Sequence, residues 1–472
     1  LQKKVQALSG IERPIVGSME FLYDSSDRCT QVTDYRNNST VLGFNTSMQR
    51  TRVVDAESKV FTFTYNSESQ MLTSMDPYSQ SIEHQYDSNG NRTATIDELT
   101  HQTSFSYYGD GSVQAQTSPL GQVTTLSRDS VGRITLMQDP INLTGSSSVV
   151  RSNTYHYTSI GQVDYHINGE SKKTTFTYDD TWQLASVVDP LGHGNSYASD
   201  SRGNLESATN GVGKTTTYTY DTINRLVTQL DAAGAKTTFS YDNAGNLTRT
   251  EDAVNGAAKP HLSEYDNAYR VTKAISPMDF VTTFNYDFNS NQTRVENSEN
   301  EITTTVYDDL NNATEVQQPL GRTTNTIYDD VSRPVAVVNP EGETTTTQYD
   351  VAGRVTKVID PLGHATSTTY DDANRPTVVE DALGHKTTTT FDMGNRAAAV
   401  TDPNNLTTTT IYDFVDRPVV VTNAANEATT TIYDDAGRAT NVINPLGYAT
   451  TYVYDAANRQ TVVINAEGES TT

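Results

Sequence analysis

The stretch YDVAGRVTKVIDPLGHATSTT, residues 349–369, decides the fold of this chain, and the same pattern starts again at residue 370. Residues 350–353 form an Asp-x-x-Gly turn signal, in which the Asp side chain can accept a hydrogen bond from the backbone two residues on. Residues 360–363 read Asp-Pro-Leu-Gly, the signature of a type I turn. Between the turns, Val, Ile and Thr favour a pleated backbone, and the segments are too short for helices.

The pattern repeats in one phase through nearly the whole chain. From Tyr23 to Tyr454 it begins 21 times, and the first residue is Tyr in 17 repeats and Phe in two. All but two of the intervals are 21 residues long. Such a fixed period predicts stacked structural repeats instead of separate globular domains.

Two intervals are longer than the others, at 29 and 24 residues. Their extra residues are rich in Gly, Ser, Ala and Asn, so we expect surface loop extensions near 141–153 and 253–260. Residues 1–22 fit the period poorly and are expected to be a degenerate or partial repeat. The tandem array is then expected to cover 23–472. Because the chain starts with Leu and not Met, we expect a processed or excised piece of a longer protein.

Each repeat is read as one hairpin plus its connection, so 21 repeats predict about 42 strands. At about 4.8 Å per strand, a flat sheet would be roughly 200 Å wide, whereas real sheets twist and curl. We therefore predict an all-β fold in which tandem 21-residue β-hairpin repeats form one long curled sheet. That sheet would be a hollow shell, a spiral or a superhelical tube.

Both faces of the predicted sheet carry polar side chains. The ninth residue after the leading aromatic is Val in 12 of 21 repeats, as at Val358, which gives one apolar stripe. Runs of four Thr at 344–347 and 387–390 place hydroxyls on both faces. We interpret this as a wall wetted on both sides around a hollow interior. The alternative is that Thr only reflects β-propensity in a sheet that packs elsewhere.

A charged pair is expected beside the turns. The fifth residue after the leading aromatic is Arg in 11 repeats, and the eleventh is Asp in 11 and Asn in seven. Arg is expected to meet Asp of its own or of the next repeat, in exposed pairs that set register instead of adding much stability. The residues taken as the structural repeat signature are Tyr349, Asp350, Gly353, Arg354, Asp360, Pro361, Gly363, Tyr370, Asp371, Arg375, Tyr433, Asp434, Gly437 and Arg438.

Composition excludes several classes of protein. The 33 Lys and Arg against 58 Asp and Glu give a formal net charge of −25, which argues against nucleic acid as a partner. Cys29 is the single cysteine, so neither a disulfide framework nor a cysteine-based zinc site can form. No run of 18 apolar residues is present, and we expect no membrane span.

The tandem Tyr-Asp-x-x-Gly-Arg and Asp-Pro-Leu-Gly elements resemble the YD-repeat (Rhs) family. Members include bacterial polymorphic toxins, shell components of insecticidal toxin complexes, wall-associated proteins and teneurins. The resemblance covers about 23–472 and rests on 21 phased repeats. It implies a long β-sheet that spirals into a hollow shell, which encloses a toxic domain or serves as an extracellular adhesion scaffold. The chain departs from that pattern because it carries no toxin domain after the repeats and no recognisable plug.

Candidate chemistry is sparse. His193, His364 and His385 occupy one turn position, where a solvated turn residue is favoured over a metal ligand. Cys29 has no evident base for a nucleophilic role. Residues 87–91 resemble the start of a calcium loop but are better explained as an Asx turn. The Asp-Pro pairs are all expected at repeat turns, at Asp76-Pro77, Asp139-Pro140, Asp189-Pro190, Asp360-Pro361 and Asp402-Pro403.

The sequence thus predicts a protein that is not an enzyme, with no catalytic residue, metal or cofactor and with its binding residues unassigned. The predicted function is the structural scaffold of a large secreted or surface-displayed bacterial protein. It would encapsulate a toxin or build an extended extracellular fibre. The expected partners are further copies or the remainder of a larger YD-repeat protein, with a toxin domain or cell-surface glycans as further candidates. The alternative is an adhesin in which the repeated Tyr rings stack on carbohydrate.

Overall fold

The computed structural model describes residues 2–3, 19–142, 148–256 and 259–471. They form an all-β chain whose strands belong to one antiparallel sheet of 44 strands. The prediction of tandem β-hairpin repeats in one long sheet is therefore confirmed. Of the predicted leading segment 1–22, residues 1 and 4–18 lie outside the described part of the chain.

The strands alternate between about five and six residues, as the two turns per repeat require. In chain order they are β1 Gln2–Lys3, β2 Glu20–Tyr23, β3 Cys29–Thr33, β4 Ser39–Phe44, β5 Arg50–Val54, β6 Val60–Tyr65, β7 Met71–Met75, β8 Ser81–Tyr86, β9 Arg92–Ile96, β10 Gln102–Tyr107, β11 Val113–Thr117, β12 Val123–Arg128, β13 Ile134–Asn142, β14 Ser148–Tyr157, β15 Val163–Ile167, β16 Lys173–Tyr178, β17 Leu184–Val188, β18 Gly194–Ser199, β19 Leu205–Thr209, β20 Thr215–Tyr220, β21 Leu226–Leu230, β22 Lys236–Tyr241, β23 Leu247–Glu251, β24 His261–Tyr265, β25 Val271–Ile275, β26 Val281–Tyr286, β27 Gln292–Glu296, β28 Ile302–Tyr307, β29 Ala313–Gln318, β30 Arg322–Tyr328, β31 Pro334–Val338, β32 Thr344–Tyr349, β33 Val355–Ile359, β34 Ala365–Tyr370, β35 Pro376–Glu380, β36 Lys386–Phe391, β37 Ala397–Thr401, β38 Thr407–Tyr412, β39 Pro418–Thr422, β40 Ala428–Tyr433, β41 Ala439–Ile443, β42 Ala449–Tyr454, β43 Gln460–Ile464 and β44 Ser470–Thr471. A short 3-10 helix, Pro319–Gly321, interrupts one turn.

The strand register of one repeat shows which residues of the pattern lie opposite each other. In the pair β32–β33, Val358 lies opposite Thr347, and in β33–β34 it lies opposite Thr366. The register shifts by one residue just before Tyr349, which lies opposite Val355. This bulge recurs at the leading aromatic of other repeats, for example at Tyr433. A bulge increases the local twist of a strand pair, so its repetition favours a curled sheet over a flat one.

The described residues bury little apolar surface. Among them, the buried hydrophobic side chains are Ala94 and Ile141 alone. Even in the valine stripe, Val358 keeps 37% of its surface exposed. Most strand residues in the described part of the chain are partly exposed, and this partial exposure accounts for the low apolar content.

The chain divides into two compact lobes. Lobe 1 comprises Leu1–Gln102 and Thr238–Thr368, and lobe 2 comprises Thr103–Thr237 and Thr369–Thr472. Each lobe thus contains two stretches of repeats that are far apart in sequence. Within the described residues, no helix is both long and apolar enough to cross a membrane.

The insertion predicted near 141–153 is not simply a surface loop. It lengthens the hairpin of β13 and β14, which pair from Leu136 and Thr154 out to Asn142 and Ser148. Residues 143–147 lie outside the described part. The second insertion begins with a turn in which Gly256 N–H donates to Asp252 O at 2.8 Å, and residues 257–258 are likewise not described.

Candidate functional site: two rows of turns

The turn after the leading aromatic, here called the YD turn, spans five residues and is held by its first side chain. In the turn 350–354, Asp350 Oδ1 accepts from the N–H of Ala352 at 3.1 Å and of Arg354 at 2.9 Å. Gly353 N–H donates to Asp350 O at 3.0 Å, and Gly353 has φ 77°. Positive φ costs a glycine nothing, and Asn replaces it at Asn374 with φ 64°.

The mid-repeat turn, ten residues later, has the same geometry. Asp360 Oδ1 accepts from the N–H of Leu362 at 2.9 Å and of His364 at 2.8 Å. Gly363 N–H donates to Asp360 O at 3.0 Å, and Pro361 holds the second position. The sequence suggested two different kinds of turn, but both are five-residue turns closed by one Asp or Asn oxygen.

The repeated Arg joins its own turn to the next repeat. Arg438 Nε donates to Asp434 Oδ2 at 2.7 Å, so the ion pair lies within one YD turn. Its Nη1 donates to Asp455 O at 3.1 Å and to Asn458 Oδ1 at 2.8 Å in the following turn. The guanidinium carbon also lies 4.9 Å from the ring centroid of Tyr454. Arg438 thus combines charge-assisted hydrogen bonds with a cation–π contact.

The other signature repeats are built alike. Asp350 pairs with Arg354 at 2.7 Å, and Asp371 pairs with Arg375 at 2.8 Å. In the turn that starts at Asp434, Gly437 has φ 91°. These pairs are partly buried, in contrast to the exposed pairs that the sequence suggested, since only 19% of the Arg354 side chain is accessible.

The leading tyrosines tie consecutive repeats together through their hydroxyl groups. Tyr349 OH donates to Pro334 O at 2.9 Å, and Tyr433 OH donates to Pro418 O at 3.0 Å. The ring of Tyr433 also lies 4.4 Å from the guanidinium carbon of Arg417. Tyr370 ends β34 at the corresponding position. Both ends of these amphipathic side chains are therefore used inside the array.

Electrostatics favour the ionised turn carboxylates. In the turn 200–204 the fifth residue is Asn204, whose Nδ2 and N–H both donate to Asp200 at 2.9 Å. These two hydrogen bonds, the side-chain one first, lower the pKa of Asp200 to about 2. The Asn91 side chain lowers the pKa of Asp87 in the same way. The calcium-like segment 87–91 is thus a turn of the common type.

In lobe 1, mid-repeat turns of the early repeats contact YD turns about 271 residues later. Arg36 Nη2 donates to Asp308 O at 2.7 Å and to Asn311 Oδ1 at 2.8 Å. Lys59 Nζ forms an ion pair with Asp330. A row of mid-repeat turns, the mid row, therefore meets a row of YD turns, the YD row.

Lobe 2 repeats this arrangement with its own residues. Lys172 Nζ lies 2.7 Å from Asp435 Oδ1, and Phe414 N–H donates to Glu170 Oε1 at 2.7 Å. In each lobe, cations or carboxylates of the earlier mid row thus meet groups of the later YD row.

Two glycines allow the rows of lobe 2 to approach closely. A Cβ on Gly169 would lie 2.5 Å from Phe414 O, and a Cβ on Gly211 would overlap Ala456 O. Both occupy the second position of a mid-repeat turn, where most other repeats have Pro or Ala. Sequence reasoning missed these glycines and the pair Lys172–Asp435. The only available signal was Gly at a position that does not need positive φ.

The lengthened hairpin of β13 and β14 supplies the most buried contacts of lobe 2. Arg151 donates to both carboxylate oxygens of Asp139, at 3.1 and 2.7 Å, and reaches Asp416 Oδ2 at 2.5 Å. Arg396 Nη1 lies 2.9 Å from Asp416 Oδ1, and Nη2 lies 2.6 Å from Asp392 Oδ2. These five alternating charges form one continuous cluster, here called the charge cluster.

The charge cluster corrects one sequence expectation. Asp139-Pro140 was expected at a repeat turn, but it lies within β13, where Asp139 is opposite Arg151 and Pro140 opposite Val150. The next residue, Ile141, is fully buried and lies against Gly394. The bidentate pair with Arg151 and the burial of Ile141 favour a longer hairpin over a turn at Asp139.

The other candidate residues occupy ordinary structural positions. His364 Nδ1 lies 2.9 Å from Asp360 Oδ2 and His385 Nδ1 lies 3.0 Å from Asp381 Oδ2, each within its own turn. Cys29 Sγ lies 3.5 Å from Gln31 O. Across the described ranges, no group of three or more His, Cys, Asp or Glu side chains is placed to hold a metal ion.

Clefts lie between the two rows of lobe 2. One of about 460 Å³ is lined by Glu170, Lys172, Arg417 and Asp435 among others. Its charged lining residues are the cations Lys172 and Arg417 and the carboxylates Glu170, Asp434 and Asp435, and Lys172 pairs with Asp435 across it.

A known family of repeats matches parts of the chain. The family model described as RHS Repeat matches residues 200–235, 220–258, 328–366, 349–386 and 433–470. No curated protein sequence matches the chain.

Solved structures share the fold at low sequence identity. The crystal structure of TcdB2-TccC3-Cdc42 has a TM-score of 0.56 and 16% identity, over 96% of this chain and 28% of that chain. The crystal structure of TcdB2-TccC3 gives 0.55 and 14%, over 97% and 31%. The Tc holotoxin pore of Photorhabdus luminescens gives 0.55 and 14%, over 96% and 29%. This chain thus spans less than a third of the chains that it resembles.

Proposed function

The chain is an RHS-repeat (YD-repeat) protein, and from that premise we propose that its sheet is the wall of a larger secreted or surface-displayed bacterial protein, in which it encloses a toxin cargo. These repeats form a structural scaffold. The wall would act mechanically, by separating its contents from solvent, and we propose that the chain is not an enzyme.

One observation carries the proposal: repeats that are 244 to 272 residues apart are joined turn to turn within each lobe. Arg36 and Asp308 join them in lobe 1, and Glu170 and Phe414 join them in lobe 2. Such contacts close gaps between successive stretches of one sheet, as an enclosing wall requires. The likeness in fold to the TcdB2-TccC3 structures and to the Tc holotoxin pore of Photorhabdus luminescens supports this reading.

The adhesin alternative needs free aromatic faces for stacking on sugars. The rings of Tyr349 and Tyr433 instead lie beside Arg333 and Arg417, and both hydroxyl groups donate to backbone carbonyls. This favours the scaffold. An extended fibre remains compatible with the same repeats and would differ by the lack of a protected interior.

The test is protection of a cargo. A small protease-sensitive domain is fused after Thr472 of the full chain, and its digestion is compared with that of the free domain. If the array encloses the domain, its digestion should be at least tenfold slower than that of the free domain. The digestion rate should return to that of the free domain when urea unfolds the array. Digestion at the free rate would contradict enclosure. Retention of the chain on a glycan array, lost on Tyr→Ala substitution, would instead support the adhesin.

A further inference from the structure

The mid-repeat turns in the second stretch of lobe 2, Thr369–Thr472, here called the later mid row, leave large apolar side chains uncovered. Leu383 and Leu446, at the third position of their turns, are 80% and 79% exposed. Leu191 holds the same position in the earlier mid row and is 39% exposed. Its turn, residues 189–193, lines a cleft together with Ala456 and Ala457 of the YD row. The same turn position is thus half-covered where a YD row lies against it and open where none does.

The YD turns in the first stretch of lobe 2, Thr103–Thr237, here called the earlier YD row, are uncovered in the same way. At the third position of their turns, Val131 and Ile223 are 71% and 66% exposed. Ile160 and Trp182 in the same row are also exposed. In the later YD row, which meets the mid row, the third position holds small residues such as Ala436 and Ala457. Apolar residues recurring along one edge mark an interaction surface more strongly than scattered ones.

We propose that a second copy of this chain docks on lobe 2 head to tail, with the later mid row of one copy against the earlier YD row of the next. A mid row already packs on a YD row inside the lobe, so the proposed contact continues an arrangement that the chain uses. Each copy offers one row of each kind, and each row has exposed large apolar side chains among polar ones. Such a contact is heterologous and can extend through many copies.

Charge disfavours contact between two later mid rows. The later mid row carries Glu427 and Glu469 at the fifth position of its turns, and both are exposed. Two such rows face to face would oppose these carboxylates, and like charges across an interface disfavour a partner. In the earlier YD row, Arg202 keeps 40% of its side chain exposed and pairs with Asp200 of its own turn at 3.3 Å.

The first test is the mass of the full chain in solution, measured by light scattering from 1 to 200 μM. We expect a weight-average mass that rises at least twofold with concentration. Leu383→Asn with Leu446→Asn should abolish the rise, because both positions lie in exposed turns that accept Asn. The control, Ile432→Thr with Val453→Thr, removes exposed apolar surface from the sheet face, at side chains that are 46% and 42% exposed, and should assemble like the parent chain. A parent chain that stays monomeric up to 200 μM would overturn the proposal.

The second test distinguishes head-to-tail docking from other assembly. One variant carries Val131→Asp with Ile223→Asp, and another carries Leu383→Asp with Leu446→Asp. Each alone should be monomeric, whereas an equimolar mixture should form dimers and nothing larger, because one intact row of each kind remains. Dimers in the mixture also show that both variants are folded. A mixture that stays monomeric, or either variant assembling alone, would overturn the proposal. Cargo enclosure does not require docking of a second copy, so a chain that stays monomeric would leave the protease test unaffected.

Discussion

Arg396 Nη2 lies 2.6 Å from Asp392 Oδ2, and only 8% and 4% of these two side chains are exposed. In the last described YD turn, Arg459 makes the same contact with Asp455 at 2.7 Å, but 65% of the Arg459 side chain is exposed. One repeated pair thus occurs in two dielectric environments within one chain.

Arg396→Ala is expected to weaken local stability by about 3–5 kcal/mol, because it leaves the buried Asp392 without its partner. The matched control Arg459→Ala should cost about 1 kcal/mol or less, since solvent screens that pair. Hydrogen-exchange protection of peptides covering 392–417 and 455–464 measures both effects. Equal losses in the two variants would show that burial does not decide the strength of the pair.

Gly211→Ala is expected to lower the stability of the row contact in lobe 2 by about 1–3 kcal/mol, because the new methyl group overlaps the Ala456 carbonyl. Gly109 is the control, because it also lies in a turn of lobe 2, has no positive φ and would place a Cβ in open space. Hydrogen exchange near 210–214 and 455–459 should rise in the first variant and stay unchanged in Gly109→Ala. Unchanged exchange in both variants would mean that the two rows are not held at this distance.

Acid is expected to weaken the turns in a defined pH window. The pKa of Asp200 falls from 3.8 to about 2 on folding, so the unfolded chain binds the proton more tightly. This contribution to stability is complete above about pH 4 and disappears as the pH falls through about 2. Asp200→Asn removes the charge but keeps an Oδ1 acceptor, as at Asn210, which accepts from Val212 N–H and Lys214 N–H. The difference in urea midpoint between parent and variant should shrink between pH 4 and pH 2. A difference that is independent of pH would contradict the role of the charge.

Tyr349→Phe is expected to cost about 0.5–1.5 kcal/mol, the net worth of one hydrogen bond, because only the contact to Pro334 O is lost. The chain contains its own precedent in Phe391, whose ring lies 4.5 Å from the guanidinium carbon of Arg375. Tyr349→Ala should cost more, since the contact with Arg333 also disappears. Hydrogen exchange in 334–355 reports both variants. An equal loss in the two would assign the whole effect to the hydroxyl group.

The repeat itself could be predicted because each residue acts on near neighbours. Asp350 and Gly353 define a turn from chain geometry alone, and Val and Thr between turns favour strands. The partner expected for the repeated Arg, the Asp at the eleventh position of the same or the next repeat, was wrong, because a periodic pattern does not distinguish the two acidic positions of a repeat. Only side-chain geometry shows that Arg438 contacts Asp434 of its own turn and the backbone of the next.

The contacts between rows could not be predicted. Lys172 and Asp435 are 263 residues apart, and their meeting depends on how much each bulge curls the sheet, which a periodic pattern does not state. The prediction of a repeat turn at Asp139-Pro140 was wrong for another reason. Asp139-Pro140 has the sequence of the repeat turn. Arg151, which belongs to the 29-residue interval, pairs with Asp139, and this pair extends the two strands.

The pairing of Lys172 with Asp435 has a consequence for how the gene can change length. Deleting one 21-residue repeat anywhere between them would leave every remaining hairpin intact. It would nevertheless place Lys172 opposite Ala456 and leave Gly169 facing Asp435. Every later turn would be displaced by one repeat relative to the row that it contacts. Duplications and losses of whole repeats, which a one-dimensional array tolerates locally, are therefore constrained by partners that lie hundreds of residues away.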